Sequence, residues 1–249
     1  MQLIRPSRPR QRGLGLVELM VGITVGLIVA AAASLIAVNQ INEHRRLMLE
    51  TQIQQDLRTA SDLIQQDFRR AGFRGNAENG VWAPPPVTDG IAKPATPNLY
   101  APFTVSSTTD GRTVSYAYAR RDAATNAYNV QPTPTGNEQF GVKWDRSAET
   151  LYVQLGLKAD GQPNWQPITD PEVLLIKDFT VDVDTTSLSL GGFCDKACGG
   201  TGQPVCPVQK IRKVSFTIVG VARHDANVRR TLSGVERIRA DDISGTCPP

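Results

Sequence analysis

Residues 13–38 decide the fold: they read GLGLVELMVGITVGLIVAAAASLIAV, and Glu18 is their single charged residue. From Leu19 to Val38 the chain has 20 consecutive uncharged, mostly apolar residues. At about 1.5 Å of rise per residue, a helix of that length spans roughly 30 Å, the thickness of a bilayer's hydrocarbon core. The stretch therefore predicts a membrane-spanning helix.

The residues before this helix form a basic leader. Four arginines precede Gly13 with no acidic residue among them: Arg5, Arg8, Arg10 and Arg12. Because positive charge stays on the cytoplasmic side of a membrane, the C-terminal body is expected in the periplasm. Removing these four charges lowers the net charge from +3 to −1, and a nearly neutral body argues against nucleic acid as a main partner.

Glu18 argues against two simpler interpretations of the N-terminus. An ordinary secretory signal is one, because Ala31 to Ala33 offer a small-residue cleavage site, and an uncleaved anchor is another. A carboxylate near the edge of a membrane helix costs up to a few kcal/mol, and neither a signal nor an anchor gains from keeping it. An acidic residue in a membrane segment therefore predicts a function of its own.

The residues around Gly13 resemble the class III signal that prepilin peptidase cleaves in type IV pilins and type II secretion pseudopilins. Gly13 is followed by an apolar residue, by Glu18 as the fifth residue after it, and by the long apolar run. Leu14 stands where Phe is commoner, and Gly15 where Thr is usual. The resemblance implies cleavage after Gly13 and N-methylation of Leu14. Glu18 can then pair with the α-ammonium of Leu14 on a neighbouring subunit, which offsets the burial of both charges.

Small residues recur every fourth position within the apolar run. Gly22 and Gly26 form a G-x-x-x-G pattern, which Ala30 and Ser34 continue. Small residues at this spacing let helix backbones approach closely, so the pattern predicts helix packing in lipid or in a filament core. The alternative is that Gly and Ala are simply common in membrane helices.

The helix is predicted to continue beyond the membrane as an amphipathic segment. We expect a leader over 1–13, a transmembrane half over 14–38, an amphipathic half over 39–71 and a periplasmic head over 72–249. An apolar stripe at helical spacing marks the amphipathic half: Ile53, Leu57, Ala60, Ile64, Phe68 and Ala71. Gly72 and Gly75 are expected to end the helix.

A second resemblance lies at the end of this helix. Residues 66–75, QDFRRAGFRG, place an acid, an arginine, Ala-Gly, an aromatic residue and a glycine in succession. This pattern resembles the PilW group of minor pilins, of which the J-class type II pseudopilins are relatives.

The head shows strand periodicity. Apolar residues alternate with polar ones from Leu151 to Leu157, from Phe179 to Val183 and from Val214 to Ile218, and Asp110-Gly111 marks a hairpin turn after Phe103. Alternation on one side indicates an antiparallel sheet with one covered face, and the helix stripe is the obvious cover. The predicted class is therefore α+β, a long helix packed on an antiparallel sheet, which is the type IV pilin fold.

All four cysteines lie in the last quarter of the chain: Cys194, Cys198, Cys206 and Cys247. An even count behind a membrane segment indicates disulfides formed in an oxidising compartment. The alternative is a four-cysteine zinc site, but the spacing lacks the usual pairs of C-x2-C. Three pairings stay open. A disulfide could join the Gly191–Pro207 loop to Cys247.

No enzyme motif stands out, and we expect neither a cofactor nor a metal. The chain has two histidines, His44 and His224, and neither lies in a nucleophile motif. The resemblance implies a minor pilin that helps initiate or cap a type IV pilus. Its implied partners are prepilin peptidase, other minor and major pilins, and the inner-membrane assembly platform. It would lie in the inner membrane with a periplasmic head, and then in the pilus. Alternatives are a type II secretion pseudopilin and a membrane-anchored periplasmic binding module.

Overall fold

The computed structural model describes residues 15–75, 98–122, 124–128, 133–202 and 205–248. The predicted cleavage and methylation residues, Gly13 and Leu14, lie outside the described residues. The chain divides into two units, Met1–Met48 and Leu49–Pro249.

One helix, α1, covers Leu16–Arg70. We call residues 16–48 its exposed half, because every one of these residues is exposed. The helix contains an 18-residue window with a mean hydropathy of 2.5, none of which is buried. By length and composition it can cross a membrane, as the sequence predicts.

Residues 49–70 are the packed half of α1. The predicted stripe from Ile53 to Phe68, continued by Ala71, is at most 2% exposed throughout. The helix ends at Gly72, which adopts φ +82° and donates its backbone N–H to the carbonyl of Ala117 at 2.8 Å. A glycine reaches this left-handed conformation without the steric cost that a Cβ adds.

Nine antiparallel strands form the rest of the described head. They are β1 Phe103–Thr108, β2 Gly111–Ala117, β3 Gln139–Asp145, β4 Thr150–Leu157, β5 Pro163–Pro167, β6 Leu174–Ser189, β7 Val208–Ala222, β8 Asp225–Arg237 and β9 Asp242–Ser244. Strands β1 to β5 form one sheet in chain order. Strands β6, β7 and β8 form a second sheet, and β9 pairs with the start of β7. Where the alternation indicated one sheet, the structure has two, and the α+β class is confirmed.

Phe68 joins both sheets to the helix. Its ring makes edge contacts with Phe103 and Tyr116 of the first sheet and with Phe216 of the second, at centroid distances of 5.2, 5.6 and 5.9 Å. The indole N–H of Trp144 donates to the carbonyl of Ile176 at 2.9 Å, which ties the two sheets directly. A single helix face therefore covers two sheets, and the core lies between the three layers.

The regular alternation predicted for β4 breaks at Leu155. Leu151 and Val153 are buried, but Leu155 is 53% exposed. A β-bulge shifts the pairing with β5 between Gln154 and Leu157, and Gly156 in this bulge has φ +85°. Because an extra residue reverses the direction of the following side chains, the expectation that Leu155 faces the covered side is wrong.

Candidate functional site

Glu18 lies in the first turn of α1 among exposed apolar side chains. Its neighbours Leu16 and Val17 are 75% and 73% exposed, and Leu19 is 54% exposed. The backbone N–H of Leu19 donates to Gly15 at 3.1 Å, so the helix is formed at this residue. A carboxylate in the first helical turn is favoured by the helix dipole, which helps to offset its cost in an apolar setting.

The predicted packing residues leave the helix backbone open. A Cβ placed on Gly22 or on Gly26 would meet nothing within 4 Å. Thr24 donates its hydroxyl to the carbonyl of Met20 at 3.1 Å, and Ser34 donates to Ala30 at 2.8 Å. Hydroxyls that are satisfied within the helix cost little in lipid, so this surface suits close approach by another helix.

Asp67 is the acid of the motif at residues 66–75, and it anchors the end of α1 in the head. The Asp67 carboxylate accepts hydrogen bonds from the hydroxyls of Tyr116 and Tyr118, at 3.1 and 3.3 Å. Burial raises the pKa of Asp67. Burial and the charge of Asp67 raise the pKa of Tyr118 to about 12. The acid of the motif therefore joins the helix to β2 and to the residue that follows it.

The arginine and the glycine of the motif also have packing roles. Arg69 forms a two-pronged ion pair with Glu236 of β8, with its Nη2 2.6 Å and its Nε 3.1 Å from the two carboxylate oxygens. A Cβ on Gly72 would lie 3.2 Å from the Arg212 guanidinium and from Ala240.

Arg212 bridges two loops beside Gly72. Its guanidinium donates to the backbone carbonyls of Ala101 and of Ala240, the latter at 3.2 Å. The side chain is almost fully buried, and this burial lowers the pKa of Arg212. Gly72 thus makes room for a buried cation that holds the segment before β1 to the β8–β9 connection.

The cysteines pair as Cys194–Cys247 and Cys198–Cys206. This arrangement is one of the three that the sequence left open, and it joins the loop after β6 to the segment after β9. Among the residues described, no cluster of three or more His, Cys, Asp or Glu side chains is placed to hold a metal ion.

A buried glutamate is the clearest feature that the sequence reading missed. Glu138 is 1% exposed, and it accepts hydrogen bonds from the Tyr100 hydroxyl at 2.9 Å, from Thr135 and from the backbone N–H of Arg120. The pattern Thr135-Gly-Asn-Glu138 has the spacing of a capping box, which could have identified it. Because its oxygens are satisfied, Glu138 is a structural acid.

Two protein families match the chain. Residues 46–238 match the family described as prepilin peptidase-dependent protein B. Residues 8–34, which include Gly13, Leu14 and Glu18, match the prokaryotic N-terminal methylation motif. No curated protein and no solved structure matches the chain. Neither family description names the PilW group, so that finer resemblance stays a prediction.

Proposed function

This chain belongs to the prepilin peptidase-dependent protein B family, and from that membership we propose that it is a minor pilin that takes part in type IV pilus assembly. It is a type IV pilin-like protein with an N-terminal methylation motif. Its family is structural, not enzymatic. The proposal concerns its role, which is to join a filament at low abundance and to help initiate or cap it.

The exposed half of α1 carries this proposal. Its large apolar side chains point outward all round the helix, and those from Leu16 to Met48 are 53% to 75% exposed. An apolar surface of this extent needs lipid before assembly and other helices after it. A membrane-inserted subunit that later packs in a helical filament core meets both needs.

Processing would create the charge that Glu18 requires. Cleavage after Gly13 by prepilin peptidase leaves an α-ammonium on Leu14, which is then methylated. In a filament, this ammonium on one subunit would pair with Glu18 on the next, so that neither charge stays unpaired in an apolar core. Gly22 and Gly26 would let the helices of neighbouring major and minor pilins approach.

The localisation follows from the same residues. Before assembly the chain would cross the inner membrane once, beside the inner-membrane assembly platform, with its head in the periplasm and its leader in the cytoplasm. The two disulfides fit an oxidising compartment for the head. After assembly it would lie in the pilus at the cell surface.

Substituting Glu18 tests the proposal. We expect Glu18→Leu and Glu18→Gln to insert into the membrane as well as the wild type, because an insertion cost is removed, and to be cleaved after Gly13. Their content in sheared pili should fall at least tenfold. The matched control is Glu43→Gln, which makes the same change in the same helix outside the apolar run, and it should assemble normally. Immunoblots of membranes and sheared pili, with N-terminal sequencing, give these quantities.

Three outcomes would redirect the assignment. Equal incorporation of Glu18→Gln and wild type would remove the physical reason for the pairing, and a membrane-anchored binding module would then be the better interpretation. A mature protein that begins near Ser34 would identify an ordinary secreted protein. Loss of type II secretion without loss of pili would favour the pseudopilin alternative.

A further inference from the structure

We propose that the head binds an acidic segment of a partner protein in a basic groove at the C-terminal end of α1. The inference goes beyond the filament role, because it depends on residues of the head and not on Glu18 or the exposed half of α1. Failure of one proposal therefore leaves the other standing.

Two adjoining clefts form this groove. One, of about 550 Å³, lies between the end of α1 and Arg239 to Asp241. The other, of about 560 Å³, extends from α1 towards Tyr118 to Arg121 and Leu155. Both are lined by Gln66, Arg70 and Phe73, so they form one continuous surface. Six arginines line the basic groove: Arg69, Arg70, Arg74, Arg120, Arg121 and Arg239.

Among the residues that the structure describes, two carboxylates line the groove, and both are already engaged. Asp67 is largely buried and accepts two tyrosine hydroxyls. Asp241 binds Arg237 at 2.9 Å and Gln209 at 2.7 Å. Of the arginines, Arg69 is paired with Glu236, which lies outside the lining, and the charges of Arg70 and Arg120 act on Asp67. Among the described lining residues, six arginines still outnumber two carboxylates, although the chain without its leader has a net charge of −1.

Apolar contacts are available beside these charges. Leu63 and Phe73 are each 38% exposed, and Leu155 is 53% exposed because of the bulge in β4. All three line the cleft on the Arg120 side of the groove. A ligand that fits this surface carries carboxylates for the guanidinium groups and aliphatic side chains for the floor between them.

The aromatic rings of the groove favour a peptide over a single-stranded nucleic acid. Tyr118 and Phe140 stack on each other with centroids 3.8 Å apart, and Arg121 lies 4.9 Å above the ring of Tyr128. These ring faces are covered by protein groups, whereas base stacking needs open faces. Guanidinium groups can instead form paired hydrogen bonds with the carboxylates of Asp and Glu.

Peptide binding to the full mature chain in phosphatidylcholine nanodiscs tests the proposal. The probe is a fluorescent ten-residue peptide of alternating Glu and Leu, measured by anisotropy at about 0.15 M salt against empty nanodiscs. We expect saturable binding that weakens at least tenfold when Gln replaces Glu in the peptide. Arg70→Gln with Arg121→Gln should weaken binding at least tenfold. Arg58→Gln removes an exposed charge of α1 outside the groove and should leave the Kd unchanged.

A second variant tests the contribution of the exposed apolar side chains in the groove. Leu155→Ser should weaken binding of the Glu/Leu peptide about fivefold but leave a Glu/Ser peptide unaffected, because only the first offers an aliphatic partner. Leu155 is exposed, so this change is compatible with folding, which circular dichroism checks.

Four results would overturn the proposal. The first is absence of saturable binding, and the second is equal loss in Arg58→Gln and the groove variant. The third is tighter binding of an oligothymidylate of matched charge, which would identify a nucleic acid surface. The fourth is concentration-dependent self-association that the groove variant abolishes, which would identify a second copy of this chain as the occupant.

Discussion

The two halves of α1 are one continuous helix with opposite surroundings. Every residue from 16 to 48 is exposed, whereas the stripe from Ile53 to Phe68 is fully buried under two sheets. The packed half has a polar face and an apolar face, as a helix on a sheet requires. Within the exposed half, the run from Leu19 to Val38 is mostly apolar on every side of the helix, and each of its residues is exposed. The difference shows that one helix combines a segment buried by its own chain with a segment whose apolar surface its own chain leaves exposed.

Truncating one large apolar side chain in each half gives the largest expected contrast. Phe68→Ala removes a ring that contacts both sheets, and we expect it to lower the free energy of unfolding of the head by about 3–5 kcal/mol. Leu35→Ala removes a side chain that is 69% exposed, and the same free energy should change by less than about 0.5 kcal/mol. Urea unfolding followed by tryptophan fluorescence measures both. A Leu35→Ala effect above about 2 kcal/mol would show that the exposed half also supports the head.

Adding one methyl group at a glycine in each half gives a smaller contrast. Gly72→Ala forces a Cβ into a left-handed conformation and places it 3.2 Å from Arg212 and Ala240, so we expect a loss of about 1–3 kcal/mol. Gly22→Ala places its Cβ in open space within a helix, and the stability of the head should not change. Thermal unfolding monitored in the far ultraviolet compares the two. Equal stability of Gly72→Ala and wild type would contradict the packing described for Arg212.

The smallest expected effect is a pH dependence of the free energy of unfolding of the head. It arises from Asp67, in the packed half of α1. Because burial raises the pKa of Asp67, the folded head binds more protons than the unfolded chain above about pH 4. Protonation of Asp67 therefore contributes to the free energy of unfolding at low pH. This contribution is lost as the pH rises through the pKa that Asp67 has in the folded head. Asp67→Asn removes it, so the variant should lose less stability than the wild type between about pH 4 and pH 7. Parallel urea titrations at both pH values measure the difference. A larger loss in Asp67→Asn than in the wild type would reverse the sign of this argument.

The helix could be predicted in detail because its signals are local. Phe68 and Ile64 belong to an apolar stripe that repeats with the helical period, and the helix ends just before Gly72, as that glycine predicts. The apolar run from Leu19 to Val38 contains no charged residue, so its length alone indicated a membrane segment.

The sheets could be predicted only where one face is apolar. Strand β8, which contains Arg229, Arg230 and Arg237, lacks a clear alternation because it is an edge strand with few buried residues. The bulge that exposes Leu155 depends on pairing with β5, which no local pattern shows. The division into two sheets likewise depends on contacts such as that of Trp144 with Ile176.

The basic groove could not be predicted, because its residues come from distant parts of the chain. Arg70, Arg120 and Arg239 meet only after the helix, the first sheet and the segment after β8 are in place.

The Cys194–Cys247 bond has a mechanical meaning if the protein is loaded in a filament. The 53 residues it spans include β7, β8 and β9, and a covalent ring cannot be drawn out as an open chain. At about 3.4 Å per residue, the residues in this closed loop would add roughly 180 Å to the length of the extended chain, and the bond prevents that extension. Under tension applied on either side of the ring, the load would pass through the sulfur atoms. Strands β7 to β9 would then resist extension, whereas β6, which precedes Cys194, would stay outside this protection.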